Sequence, residues 1–151
     1  MKARIITFGL ISLFLLCGTG CEKMPTDTRN ITLYNQPLSV IKHCIQGKWK
    51  VVYEKGGFIA TRIRYWDDYY MEFTKNNRMI VSRDGVADYQ NTKIRWYKEC
   101  YCCSGGYNEY VYVAEFSDGS PPIVFDRIQN DTLIFTNLGA DSPYYYLIKT
   151  K

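Results

Sequence analysis

The stretch Gly47-Lys48-Trp49-Lys50-Val51-Val52-Tyr53-Glu54-Lys55 decides the reading of this chain. Apolar Trp49, Val51 and Tyr53 alternate with Lys48, Lys50 and Glu54, the two-residue period of a half-buried strand. Upstream, Pro37 to Gln46 sets Leu38, Ile41 and Ile45 at helical spacing, with Pro37 near the start and Gly47 just past the end. So short a helix is marginal alone and must pack on something.

Downstream the chain reads as strands separated by turn signals. With the first, Lys48 to Lys55, they are Tyr69 to Thr74, Arg78 to Arg83, Thr92 to Glu99, Glu109 to Phe116, Ile123 to Ile128, Thr132 to Thr136 and Tyr144 to Lys149. Most linkers are short, so neighbours pair antiparallel. Eight such strands and one helix predict an all-β fold: an eight-stranded antiparallel up-and-down barrel whose floor the helix closes. An open sandwich is the alternative. Alternation sends Trp49, Val51, Tyr53, Met71, Phe73, Ile94, Trp96, Tyr110, Tyr112, Ala114, Leu133 and Phe135 inward. In the third strand Met79 and Val81 are assigned inward, with Ile80 competing, and in the last Tyr144, Tyr146 and Ile148 are assigned inward.

The composition supports a core: 46% of residues are hydrophobic and 16% aromatic, with 14 Tyr, which favours strands. The formal charge is +4, but Lys2 and Arg4 belong to a leader, and the scattered remainder gives no case for nucleic acid. Lys2 and Arg4 precede an apolar run, Ile5 to Leu16, of signal-peptide length. Gly18-Thr19-Gly20-Cys21 follows and resembles the bacterial lipobox, in which the cysteine is acylated and becomes the first residue. The expected division is a signal peptide at 1–20, a lipidated Cys21 with a tether over 21–36, and the barrel over 37–151. The expected partner at that end is a membrane, held through acyl chains. The expected place is the cell envelope, at the outer membrane.

Cys44, Cys100, Cys102 and Cys103 are an even set in an exported chain and read first as disulfides. A metal site that adds His43, or redox-active thiols, are the alternatives. Successive strands alternate direction, so the helix and the connection carrying Cys100, Cys102 and Cys103 share the floor, and a bridge from Cys44 is reachable. Asp67-Asp68 is a poor acid and base pair, because adjacent side chains diverge. No nucleophile has a partner and no phosphate loop occurs, so the expectation is a protein that is not an enzyme, with no cofactor, no metal and no catalytic residue.

A helix, then Gly47-x-Trp49, then antiparallel strands resembles the lipocalin pattern, and within it the lipocalin-like lipoproteins of Bacteroidota envelopes, with their GKWK-type first strand. The resemblance implies that Trp49 closes the barrel floor. It also implies a cation stacked on that ring, a place Lys149 or Lys151 can take. The threonine-aspartate-tyrosine motif of lipocalins is absent; Asn130-Asp131-Thr132 lies near its place.

Two functions follow. One is binding of a small apolar or amphipathic molecule in the barrel, by Tyr53, Phe58, Tyr65, Trp66, Met71, Phe73, Trp96, Tyr112 and Tyr146. The long connection Gly56 to Asp68 then serves as a lid, or else only covers the mouth, and its Arg62 and Arg64 stand where an acidic head group would arrive. The other is an interaction or inhibitor protein of the envelope, working through loop surfaces of a filled barrel. Interior volume separates them.

Overall fold

A computed structural model describes residues 24–59, 62–102, 108–139 and 141–150. The expected signal peptide, Cys21, Cys103 and Lys151 lie outside the described residues, as does the side chain of Cys102.

In chain order the elements are β1 (Asn30–Thr32), α1 (Leu38–Ile45), β2 (Gly47–Gly56), β3 (Ile63–Tyr65), β4 (Tyr69–Phe73), β5 (Arg78–Arg83), β6 (Val86–Cys102), β7 (Asn108–Phe116), β8 (Ile123–Gln129), β9 (Thr132–Asn137) and β10 (Pro143–Lys149). From β4 to β10 each strand pairs antiparallel with the next, and β2 pairs with both β4 and β10, which closes an eight-stranded barrel. Closure removes most of the open edge that a flat sheet would carry. The floor end carries α1 and the β4–β5, β6–β7 and β8–β9 turns. The mouth carries the β2–β3, β5–β6, β7–β8 and β9–β10 connections.

Two short strands extend this plan. β7 meets β8 only at Val113↔Val124 and Ala114↔Ile123. Below that point β8 turns its edge to β1, in the register Asn30↔Gln129 to Thr32↔Arg127. Leu33 follows β1, donates its N–H to Asp126 O at 2.7 Å and is fully buried in the core. The tether therefore does not run to residue 36: from Asn30 on it belongs to the domain. Ile31 and Leu33, two apart, are the strand signal in that polar stretch. At the mouth β3 pairs with the upper half of β2, while β4 pairs with its lower half. The connection from Gly56 to Asp68 is thus partly a hairpin, not a free lid. Likewise the turn after β5 is only Asp84 and Gly85, because β6 begins at Val86.

The helix packs Val40, Ile41, Cys44 and Ile45 onto the barrel, two i, i+4 pairs on one face. Trp49, 2% exposed, donates from Nε1 to Ile45 O at 2.7 Å and so caps the helix end. Lys149 Nζ stands 5.2 Å from the Trp49 ring centroid, the contact expected of Lys149. Gly47 makes this corner possible: its φ is +116°, a backbone conformation that residues with a side chain rarely adopt.

The interior fills from the floor upward. Phe125 is the hub, with ring centroids 5.3 Å from Phe73, 5.9 Å from Trp96 and 5.9 Å from Phe135. Met71, Met79, Val81, Ile94, Ala114, Leu133 and Leu147 complete this core.

Three assignments of facing are corrected. The ladder between β2 and β10 shifts register, with Tyr146 opposite Tyr53 but Leu147 opposite Val51. This bulge around Val52 breaks the alternation: Val51 points inward, Tyr53 outward. In β10 the inward side chains are Tyr145 and Leu147; Tyr144, Tyr146 and Ile148 face outward. Five apolar or aromatic residues in succession there, Tyr144 to Ile148, give alternation nothing to discriminate. Tyr110 is 69% exposed, because the β6–β7 ribbon continues beyond the barrel floor.

The expected bridge from Cys44 is not formed. Cys44 is a free, buried thiol packed into the barrel core. Burial pushes its pKa up, and nearby Lys149 pulls the other way. Cys100 sits in β6 opposite Tyr110 and is half-buried.

Candidate functional site: a cavity in the barrel mouth

Above Phe135 the inner wall stops being filled. A cavity of about 170 Å³ opens there. Its base and walls are Met71 and Met79 from β4 and β5, Phe116 and Ile123 across the barrel, and Phe135 below. Tyr69 and Tyr145 stand beside it, and Gln90, Ser120 and Asn137 supply amide and hydroxyl groups. The polar wall is held in place. The Gln90 amide donates to both Asp118 and Ser120, tying β6 to the β7–β8 loop. Thr92 and Ser117 hydroxyls, 3.1 Å apart, fasten the same loop one step lower. Apolar base and few fixed polar groups are the composition of a small-molecule site.

The rim beside β4 is aromatic and cationic. Trp66 meets Tyr69 edge-on at 5.0 Å, and the guanidinium carbons of Arg64 and Arg83 lie 4.0 and 4.7 Å from the Trp66 ring centroid. Trp66 Nε1 is buried and has no hydrogen-bond partner among the described residues. Burial, then Tyr145, pushes the Tyr69 hydroxyl from 10 to about 12 against the pull of Arg83. Burial and Glu54 raise Tyr145 in the same direction.

That shift makes a pH prediction. The unfolded chain ionises its tyrosine near 10, while folded Tyr69 holds its proton to about 12. The folded state thus binds the extra proton in this window, and stability falls as pH rises from 10 towards 12. At about 1.4 kcal/mol per unit the loss is roughly 2–3 kcal/mol. Denaturant midpoints of wild type and Tyr69→Phe, taken between pH 9 and 11.5, should show the wild type losing stability relative to the variant as pH rises. A constant gap between the two would show that Tyr69 does not titrate late.

Of the residues expected to bind a ligand, only Met71 lines the mouth cavity. Phe73 and Trp96 are in the packed lower barrel, and Tyr112 packs against the core near the floor with Lys98 Nζ 4.9 Å over its ring. Trp66 is at the rim. Tyr53, Tyr65 and Tyr146 form an outer ladder, with Tyr53 stacked on Tyr146 at 4.3 Å and 6.0 Å from Tyr65. Phe58, on the hairpin tip, is 91% exposed. Sequence reasoning missed Tyr69, Met79, Gln90, Phe116, Ser120, Ile123, Phe135, Asn137 and Tyr145 as lining residues. Met79 and Phe135 were placed inside without being assigned to a site. Gln90, Ser120 and Asn137 are unremarkable polar residues until the fold brings them to one rim.

At the floor, His43 lines a separate open cleft of about 200 Å³ with Lys42, Gln46, Phe73, Lys75 and Trp96. Lys42 Nζ is 5.7 Å from the Trp96 centroid. Among the described residues no group of three His, Cys, Asp or Glu side chains is placed to hold a metal ion.

No protein-family model matches the chain, no curated protein matches it, and no solved structure matches it.

Proposed function

We propose that the chain is a lipid-anchored protein of the cell envelope that binds one small apolar or amphipathic molecule in the mouth of its barrel. The observation that carries this reading is the mouth cavity of about 170 Å³, apolar below and polar at one wall. The resemblance to lipocalin-like lipoproteins agrees with it: Trp49 at the floor, under α1 and beneath a lysine, is what that resemblance implies. The volume sets the ligand class. An apolar cavity of about 150 Å³ takes up benzene, so the occupant is a single ring or a short chain, not a long lipid. Tyr69, Tyr145, Gln90 and Asn137 favour one hydroxyl or amide on that ligand.

The test is calorimetric titration of the folded protein with p-cresol, a one-ring probe with a hydroxyl. Native mass spectrometry of protein gently extracted from its source membrane would identify the natural occupant. Saturable binding at a single site is expected; no heat beyond dilution, and no co-purifying mass, would remove the reading. The filled lower barrel and the exposed hairpin would then favour the second reading, an interaction protein using its loops.

The anchor has its own test. Cys21→Ser is expected to move the protein from the membrane fraction to the soluble fraction after a salt wash, because two or three acyl chains supply the stable attachment. Retention of the variant on membranes would exclude Cys21 as the anchor.

A further inference from the structure

We propose that the β2–β3 hairpin is a bilayer-contacting element, and that the surface it fits is an anionic lipid headgroup layer. Its tip exposes two large apolar side chains, Phe58 at 91% and Ile59 at 60%. The tip is a built turn. Gly56 and Gly57 hold φ of +95° and +86°, and Gly56 N–H donates to Arg62 O at 3.0 Å. From Lys55 to Trp66 the chain carries Lys55, Arg62 and Arg64 and no carboxylate.

Behind the tip the register sets two transverse rows on the outer face. The first is Ile63–Lys55–Tyr144 and the second Tyr65–Tyr53–Tyr146. The order along the hairpin is therefore apolar tip, cations, tyrosine belt. A lipid interface has matching layers: an acyl boundary that takes apolar side chains, and a headgroup level where anionic groups meet cations and tyrosine rings settle.

Acidic groups fix the tilt. Asp88 and Asp118 are exposed on the rest of the rim, while Asp141 is exposed beside Gly57, where Lys55, Arg62 and Arg64 outnumber it, so an anionic surface favours the hairpin side. At the hairpin base Asp68 accepts from Gly85 N–H at 2.6 Å and Asp84 pairs with Arg83, while Asp67 is exposed and Glu54 stands opposite Arg64. An acyl anchor at Cys21 is compatible with this pose. About nine residues separate it from Asn30 at the floor, an extended reach of roughly 30 Å. The proposal does not rest on the mouth cavity, and an empty cavity would leave its test unchanged.

The test uses the full chain bearing Phe58→Trp, bound to vesicles of phosphatidylglycerol and phosphatidylcholine brominated along the acyl chain. Compared with wild type, the variant should show at least twofold more quenching by the brominated lipid and lose most of its quenching by iodide when vesicles are added. Adding Arg62→Glu and Arg64→Glu should abolish that lipid quenching on anionic vesicles. If the tryptophan at 58 stays open to iodide and is not quenched by lipid, the proposal falls and the tip belongs to a protein partner or a second copy. If the charge reversals leave the lipid quenching intact, the assignment to anionic headgroups falls.

Discussion

Trp49→Ala is expected to cost the domain about 3–5 kcal/mol, the range for deleting a large buried aromatic side chain. Trp49 is 2% exposed and sits where β2, α1 and β10 meet. Its removal opens a void under the barrel. It also strips Ile45 O of the indole N–H that satisfies it, and a buried carbonyl left bare costs about 1–3 kcal/mol, part of which is already inside the first figure. Against a total of about 5–15 kcal/mol for a domain, this is the largest single-residue effect we expect. Lys149→Ala removes only the cation over the ring, worth about 0.5–1 kcal/mol. Urea midpoints of the two variants separate the contributions. If Trp49→Ala lost no more than Lys149→Ala, Trp49 would be a surface ring and the floor would be held by something else.

Met71→Trp is expected to abolish p-cresol binding, with affinity down at least tenfold, while the barrel stays folded. Met71 lies in β4 opposite Trp49 and Val81, and its side chain forms part of the cavity wall. An indole there has one open direction, into about 170 Å³ of space that a ligand would otherwise use. Overpacking a filled core costs about 1–3 kcal/mol, and the adjacent cavity brings this variant to the low end. Ile123→Trp fills the same space from the opposite wall, so the prediction survives if one variant fails to fold. Trp96 and Tyr112, in the packed part near the floor, are controls: Tyr112→Phe should leave binding unchanged. Wild-type affinity in both folded tryptophan variants would place the ligand outside the mouth.

Much of the architecture was legible in the chain. Alternation over Lys48 to Glu54, over Met71 to Thr74 and over Lys93 to Trp96 had one polar and one apolar side, and there inside and outside came out as read, up to Val51. The helix was legible because Pro37 and Gly47 bracket its apolar period. The mouth and floor followed from strand count alone, since each reversal sends the chain to the other end.

The binding surface was less legible. Tyr144-Tyr145-Tyr146-Leu147-Ile148 is apolar or aromatic on both faces, so period two carries no sign there. Its facing was set by Leu147, which meets Leu133 and Val51 in the core. Tyr53 was turned outward by one extra residue in a ladder, an event that no local pattern announces. Leu33 looked like linker because a three-residue strand signal is short, and only the gap between β7 and β8 gives it somewhere to be buried.

By itself the sequence determined the number of reversals, the bracketed helix, the corner at Gly47 and Trp49, and the barrel that these require. Those are local properties: backbone freedom, capping and the period of apolar residues act within a few positions. The tertiary structure alone decided where the interior is full and where it is empty. Phe73, Trp96, Phe125 and Phe135 converge from four strands to fill the lower barrel, and Gln90, Ser120 and Asn137 converge from three segments to make a polar wall above it. Volume is a sum over side chains distant in sequence, so no window along the chain contains it.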